Sequence, residues 1–148
     1  MNDVQVGPAQ PNDVGAVERL LEAAALPTVG IAKWMDSAVV ARADGRVVGC
    51  AALETYESGV LLRSVAVDPD FRGRGLGVQL TEAALALARQ KGATVAFLLT
   101  TTASNFFPRF GFVPVERADV PDDVKQSVEF RSACPSSALA MRAYLGGA

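Results

Sequence analysis

The chain has 148 residues, 50% apolar and 20% charged, with a formal net charge of −2 at pH 7; this fits one globular domain over residues 1–148, burying roughly two thirds of its unfolded surface. A pI near 5.1 argues against a nucleic-acid partner. No apolar run approaches the roughly 18 residues of a spanning helix and no export leader precedes Val4, so a soluble, cytoplasmic protein without membrane contact is expected.

Val4 to Val6 reads as a first strand. Pro11 to Ala25 reads as a helix with Val14, Val17, Leu20, Leu21 and Ala24 on one face. Asn12 and Asp13 suit its first turn, and Pro27 closes the region. Residues 28–37 have weak periodicity and fit a loop or short helix, in which Trp34 is either ordinary packing or part of a substrate lid. Ala38 to Ala43 and Arg46 to Glu54 form a hairpin around Asp44-Gly45. A second turn at Glu57 to Gly59 leads into the strand Val60 to Val67. A helix follows from about Arg74 to Lys91, with Leu76, Leu80, Ala83, Ala84 and Leu87 at helical spacing and Gly92 at its C′ position.

Thr94 to Thr100 then reads as a parallel crossover strand. Thr101 to Arg109 is expected to be a short helix, with Pro108 in its first turn or distorting it. Phe112 to Glu116 is a strand, 118–136 a loop with one helical turn, and Ala138 to Tyr144 the last strand. The order β-α-ββ-β-α-β-α-β-β gives an α/β fold, a mixed sheet with helices on its faces.

Histidine is absent and there are two cysteines. That removes Ser-His-Asp and Cys-His catalysis, leaves no credible transition-metal site and gives no disulfide framework. Cys50 lies in an apolar strand as a small core residue. Cys134 sits beside Pro135 in a loop, where a reactive thiol is an alternative to a bystander.

The most informative segment joins the strand ending at Val67 to the helix beginning near Leu76. Asp68-Pro69 breaks the strand, and Arg72-Gly73-Arg74-Gly75-Leu76-Gly77 follows. A helix N-terminus offers unpaired N–H groups and the positive end of the macrodipole. Glycines allow close approach and two arginines add charge, so a phosphate or pyrophosphate is the natural ligand. The spacing excludes the dinucleotide fingerprint G-x-G-x-x-G, because Val78 stands three after Gly75, and no Gly-Lys-Ser/Thr exists for a P-loop. What stands matches R/Q-x-x-G-x-G/A.

This segment resembles the acetyl-CoA-binding motif of the GNAT superfamily of N-acetyltransferases. The run from Ala103 to Phe112, with Phe106, Phe107, Gly111 and Phe112, resembles that superfamily's later A-x-x-F-Y-x-x-x-G-F element. The C-terminal half is most similar to the acetyltransferase domain of N-acetylglutamate synthase, through Leu99 to Thr102, Phe107 to Phe112 and Val120 to Gln126. It is also similar to small stand-alone acetyltransferases associated with arsenic resistance, which acylate amino-acid-like compounds.

The resemblance implies a GNAT fold whose sheet splays between the central parallel strands. It implies that the amides around Gly73, Gly75, Leu76, Gly77 and Val78, with Arg72 and Arg74, hold the CoA pyrophosphate. The pantetheine arm would pair with Val65, Ala66 and Val67 like an added strand, and Asn105, Phe106 and Arg109 would touch the cofactor's far side. The Val65 amide would polarise the acetyl carbonyl. A homodimer through the C-terminal strands is a further implication, and no metal is expected.

Phe107 stands where many relatives carry a tyrosine that protonates the departing thiolate. Thiolate is a fair leaving group, with a thiol pKa of about 8.5, so Thr100, Thr101 or Ser104 can serve, Thr100 by its match to a hydroxyl residue in the glutamate-acetylating relatives. Those relatives also carry a strand glutamate where this chain has Leu61 and Leu62; Glu54 or Glu57, holding a water, are the remaining base candidates, unless the amine enters neutral. For the acceptor, Arg63 interrupts the apolar strand on the face of Val65 and Val67 by period two. A substrate carboxylate and a salt bridge with Glu54 or Asp68 both account for it. Arg131 and Ser132 resemble an arginine region binding substrate carboxylate, Ser64 and Thr101 adjoin, and Lys33 is a further candidate.

The function expected is acetyl transfer from acetyl-CoA to the α-amine of a small acidic amino acid or glutamate analogue such as arsinothricin or phosphinothricin. The alternatives are a catalytically weak CoA-binding sensor, to which Phe107 and the missing strand glutamate point, and an arsenic-binding protein using Cys50 and Cys134.

Overall fold

The computed structural model describes residues 3–133 and 137–146, and its framework is a seven-stranded sheet. The strands are β1 (Val4–Pro8), β2 (Ala38–Ala43), β3 (Arg46–Tyr56), β4 (Gly59–Val67), β5 (Val95–Thr100), β6 (Val113–Pro114) and β7 (Leu139–Tyr144). They lie in the order β1-β2-β3-β4-β5-β7-β6. The pair β4 and β5 is parallel, and the other neighbours are antiparallel. Among the described residues three α-helices join them: α1 (Val14–Ala23), α2 (Leu76–Gln90) and α3 (Asp122–Lys125). This is the mixed α/β architecture expected from the sequence. Among the described residues no helix is long and apolar enough to cross a membrane.

Strand alternation sorts the core into layers. Val39, Ala41, Val48, Ala51, Leu53 and Leu62 face Leu76, Leu80 and Ala84 of α2. Their neighbours Val40, Val47, Cys50, Ala52 and Ala66 face Val17, Leu20 and Leu21 of α1. Val124 of α3 covers Leu61, Phe97 and Ala140 further along. The C-terminus of α2 is closed by a Schellman motif: Gly92, at φ 89°, donates to Arg89 O, and Ala93 donates to Ala88 O.

Several boundaries differ from expectation for identifiable reasons. Residues 11–13 form a 3-10 turn ahead of α1, because the Asp13 carboxylate accepts from Gln10 N–H and pairs with Arg42 of β2 at 2.5 Å. Residues 31–37 are 3-10 helix, with Ile31 and Met35 buried; Trp34 packs tilted on Tyr56 at 5.8 Å. The short helix expected over Thr101 to Arg109 shrinks to a 3-10 turn at Phe107–Phe110 around Pro108. The strand expected from Phe112 to Glu116 is ordered as strand over Val113–Pro114, and Pro114 has no N–H for a longer ladder. The polar stretch after residue 117 holds α3 and a π-helical turn at Glu129–Ala133. Cys134 and Pro135 lie outside the described residues.

The feature that makes a site is a split in the sheet. Strands β4 and β5 pair only through Val60↔Ala96 and Leu61↔Phe97, then separate toward their C-terminal ends. On the other side of β4, Arg63 pairs with Ala52 and Ala66 with Cys50. Ser64 and Val65 therefore stand against Ala51 alone, a β-bulge, with Ser64 in the left-handed region at φ 62°. The extra residue reverses the alternation. Val65 and Val67 join Leu62 on the α2 face, while Arg63 keeps the opposite face, shared with Ala52 and Ala66. The strict period-two expectation of Arg63, Val65 and Val67 on one face is thereby corrected.

Candidate active site

Two concave spaces meet at the split, and Val65 and Ala24 border both. The smaller, about 400 Å³, is a groove between the end of β4 and the start of α2. Gly73 and Gly75 have φ of 80° and 77°, and a Cβ at either would meet nothing within 4 Å. Glycine is needed there for conformation, not for space. No side chain caps α2, and its first internal bond runs from Gln79 N–H to Gly75 O at 3.1 Å. The amides of Leu76, Gly77 and Val78 thus lack helical acceptors and carry the positive end of the dipole. The helix begins at Leu76, not Arg74, because the chain is left-handed at both preceding glycines.

The groove brings together Val65, Ala66, Val67, Arg72, Gly73, Gly75, Leu76, Gly77, Val78, Phe106 and Arg109. Arg72 is tied to Val67 O through Nε at 3.2 Å. Arg109 lies over the Phe106 ring at 4.7 Å and donates to Phe106 O. Arg74 and Asn105 do not border it. The Arg74 guanidinium stacks 4.8 Å over Phe71 and donates to Asp70 O at 3.4 Å, and Asn105 is exposed.

The larger space, about 650 Å³, is walled by Ala24 to Pro27, Leu62 to Val65, Leu98 to Ala103, Phe107 and Glu129. It gathers Ser64, Thr100 and Thr101 as expected. The Thr100 hydroxyl accepts from Ala103 N–H at 2.9 Å, which fixes it at the cavity edge. Phe107 is buried and meets Phe106 and Phe112 edge-on, so this position supplies packing and no proton. Ser104 is exposed outside the wall. Arg131 is exposed on the π-helical turn and does not border the cavity, and the Ser132 side chain is outside the described residues. Lys33 lies 5.0 Å over the Trp34 ring, away from the wall.

Arg63 has a fully buried side chain. Nη1 donates to Glu54 Oε2 at 2.8 Å, Nε to Ser64 Oγ at 3.0 Å, and Nη2 to the carbonyls of Pro27 and Val29 at 3.3 and 2.9 Å. Of the two explanations open from sequence, the salt bridge with Glu54 is present, while Asp68 pairs with Arg46 instead. Tyr56 Oη donates to the other Glu54 oxygen. Glu54 is thus buried and engaged behind the cavity, and Glu57 is exposed in the β3–β4 turn at the far end of the strand.

Sequence reasoning missed Glu129. Its carboxylate is 5% exposed, lies 3.4 Å from Arg63 Nε, and borders the cavity. Burial pushes its pKa up to about 7, against the attraction of Arg63 and with repulsion from Glu54 adding to the rise. The one available signal was an acid between Val128 and Phe130, in a stretch otherwise read as loop. Cys50 donates to Ser64 O at 3.1 Å, and burial raises its thiol to about 12, the behaviour of an inert core residue. Among the described residues no three His, Cys, Asp or Glu side chains converge as a metal site.

The family model described as an acetyltransferase (GNAT) domain matches residues 35–114. The amino-acid acetyltransferase of Pasteurella multocida (strain Pm70) is 38% identical over 90 residues, 60% of this chain and 20% of that protein. The chain spans between 20% and 31% of the length of the first curated relatives with that name. Rv2747 from Mycobacterium tuberculosis, solved in complex with CoA and NLQ, superposes with a TM-score of 0.80 at 27% identity, over 95% of this chain and 98% of that one. N-acetylglutamate synthase from Neisseria gonorrhoeae, solved with coenzyme A and N-acetyl-glutamate, shares the fold at a TM-score of 0.83 and 20% identity, over 97% and 35% of the respective chains.

Proposed function

The chain belongs to the acetyltransferase (GNAT) family, and from that premise we propose that it is an N-acetyltransferase with acetyl-CoA as its donor and that its acceptor is the α-amine of a small amino acid bearing a second acidic group. Glutamate fits, as does a glutamate analogue such as arsinothricin or phosphinothricin. The amine attacks the thioester carbonyl directly in a ternary complex, and the C–S bond breaks with its electron pair on sulfur.

In this reading the groove holds the CoA pyrophosphate on the Leu76, Gly77 and Val78 amides, with Arg72 and Arg109 at its margin. The pantetheine arm lies along Val65 to Val67. Ser64 and Val65 are unpaired with β5 and stand against one residue of β3, and the Val65 amide is assigned to the developing oxyanion. Thr100 serves the departing sulfur. Ser64 and Thr101, which border the larger cavity, are assigned to the acceptor's carboxylates, while Arg131 stands outside that wall. Arg63, its donors already engaged, holds Ser64 and the Pro27–Val29 wall.

The observation that carries the proposal is the meeting of the two spaces at Val65. A thioester aligned on β4 would present its carbonyl where an acceptor in the larger cavity can reach it. The amino-acid class is supported by the names of the relatives. The test is CoA release with purified protein across acidic, amide and neutral amino acids and a polyamine. Preference for acidic acceptors supports the proposal, and equal rates on polyamines and acidic amino acids defeat it. A homodimer in the cytoplasm completes the reading: Val113 and Tyr144, on the C-terminal strands, are 50% and 72% exposed, and sedimentation tests whether they are buried between two copies.

A further inference from the structure

We propose that Glu129 is the general base of the transfer, receiving the acceptor's ammonium in the larger cavity and taking its proton. This deepens the function proposed above and rests on it.

The charge arrangement is the first support. Two carboxylates, Glu54 and Glu129, share one guanidinium, that of Arg63. Fully ionised, the cluster carries one surplus negative charge among buried groups. A desolvated surplus charge calls for a counter-cation. Glu54 is not the carboxylate that meets the ligand: it lies behind the wall, between Arg63 and the Tyr56 hydroxyl. Glu129 borders the cavity itself, along with Ser64, Val65 and Thr100. An ammonium entering there neutralises the cluster without displacing an existing hydrogen bond of Arg63.

The second support is proton affinity. A base for an amine works best when its pKa lies near the operating pH. Burial raises Glu129 to about 7. The titratable and charged groups facing it are Arg63 on β4 and Glu54 on β3, with Tyr56 joined through Glu54. Occupation by a second cation would favour the carboxylate until the proton moves.

The step balances as follows. One N–H bond of the ammonium breaks and its proton passes to a Glu129 oxygen. The freed lone pair forms the N–C bond to the thioester carbonyl, and the carbonyl π electrons move to oxygen. As the carbonyl re-forms, the C–S bond breaks with its pair on the CoA sulfur, and a second nitrogen proton ends on that sulfur. The products are the N-acetyl amino acid, CoA thiol and a protonated Glu129, which releases its proton to solvent.

The test is the pH dependence of kcat/KM between pH 5.5 and 9.5, followed by loss of thioester absorbance, for wild type and Glu129→Gln with the best acceptor of the panel. The expected result is a loss of about 10²–10⁴-fold at pH 7.5, with unchanged acetyl-CoA affinity by calorimetry. The wild-type acid limb near pH 7 should vanish, leaving a rate that climbs with amine deprotonation. Glu129→Asp, which keeps a carboxylate, should retain a limb at a reduced rate, and this covers a glutamine variant that unfolds. Glu129→Gln within about threefold of wild type, or with the limb intact, would overturn the assignment. Wild type that binds acetyl-CoA yet acetylates no amino acid would instead overturn the acceptor reading, and this inference with it.

Discussion

Arg63→Met tests whether the buried cluster is as costly to break as its contacts imply. Methionine keeps an apolar stem of similar reach but removes all five N–H donors. Breaking a buried ion pair by deleting one partner costs about 3–5 kcal/mol, because the remaining charge is left uncompensated. Here two carboxylates, Glu54 and Glu129, lose their shared cation, and the Pro27 and Val29 carbonyls lose donors at 3.3 and 2.9 Å. The expected loss at pH 8 is at the upper end of that range, about 5 kcal/mol, or a Tm lower by roughly 10–20 °C for a chain of this size. Urea unfolding followed by Trp34 fluorescence measures it. Protonation relieves an uncompensated carboxylate, so the deficit should shrink as pH falls toward 5. A loss under about 1 kcal/mol, the value of an exposed pair, or a deficit indifferent to pH, would refute the reasoning.

Wild-type stability should itself depend on Glu129. Its folded pKa of about 7 lies above the ordinary 4.5, so between those values the unfolded chain sheds the proton while the folded one keeps it, and stability falls as pH rises through the window. Urea midpoints from pH 4.5 to 8 should show a downward slope that is absent in Glu129→Gln; identical slopes would count against a buried carboxyl. Gly75→Ala imposes a side chain at φ 77° and should cost about 1–2 kcal/mol of stability, with acetyl-CoA binding weakened in calorimetry; an unchanged unfolding midpoint would contradict the strain argument. In Gly59→Ala the new Cβ would sit 2.8 Å from both Val95 O and Val95 Cγ1, beside the Val60↔Ala96 pair, costing about 1–3 kcal/mol by overpacking. Thermal unfolding checks this, and a neutral result would mean that the β4–β5 join gives way freely.

The parts of this protein legible in the sequence are those written in local pattern. The hairpin at Asp44-Gly45, the periodicity from Leu76 to Leu87 and the glycines at 73 and 75 each follow from a rule acting over a few residues. They led to the sheet, to α2 and to the groove. What was not legible depends on distant partners. Arg63 left a substrate carboxylate and a Glu54 salt bridge both open, because nothing near it in sequence shows Pro27, Val29 and Glu129 closing around it as well. The bulge at Ser64 is silent too, since serine does not advertise a left-handed φ, and one extra residue reverses the faces of everything after it. Glu129 lies in a π-helical turn that no periodicity announces, and its chemistry comes from burial against a strand far earlier in the chain. Arg74 and Asn105 fit the motif by position and stand outside the groove wall; Phe71 offers the Arg74 guanidinium an aromatic face to stack on.

The two residue pairs that join β4 to β5 give the sheet a short spine with two leaves and an open gutter. The leaves have few bonds of their own to fix the angle between them, so whatever lies in the gutter takes on part of that task. A pantetheine arm bonded to one leaf and packed on the other would be a building element as much as a reactant. Its occupancy at a hundredfold excess over Kd would add about 2.7 kcal/mol to the folded state. The loaded protein should therefore exchange its β4 and β5 amides more slowly than the empty one, and the donor would stiffen the frame in which it reacts.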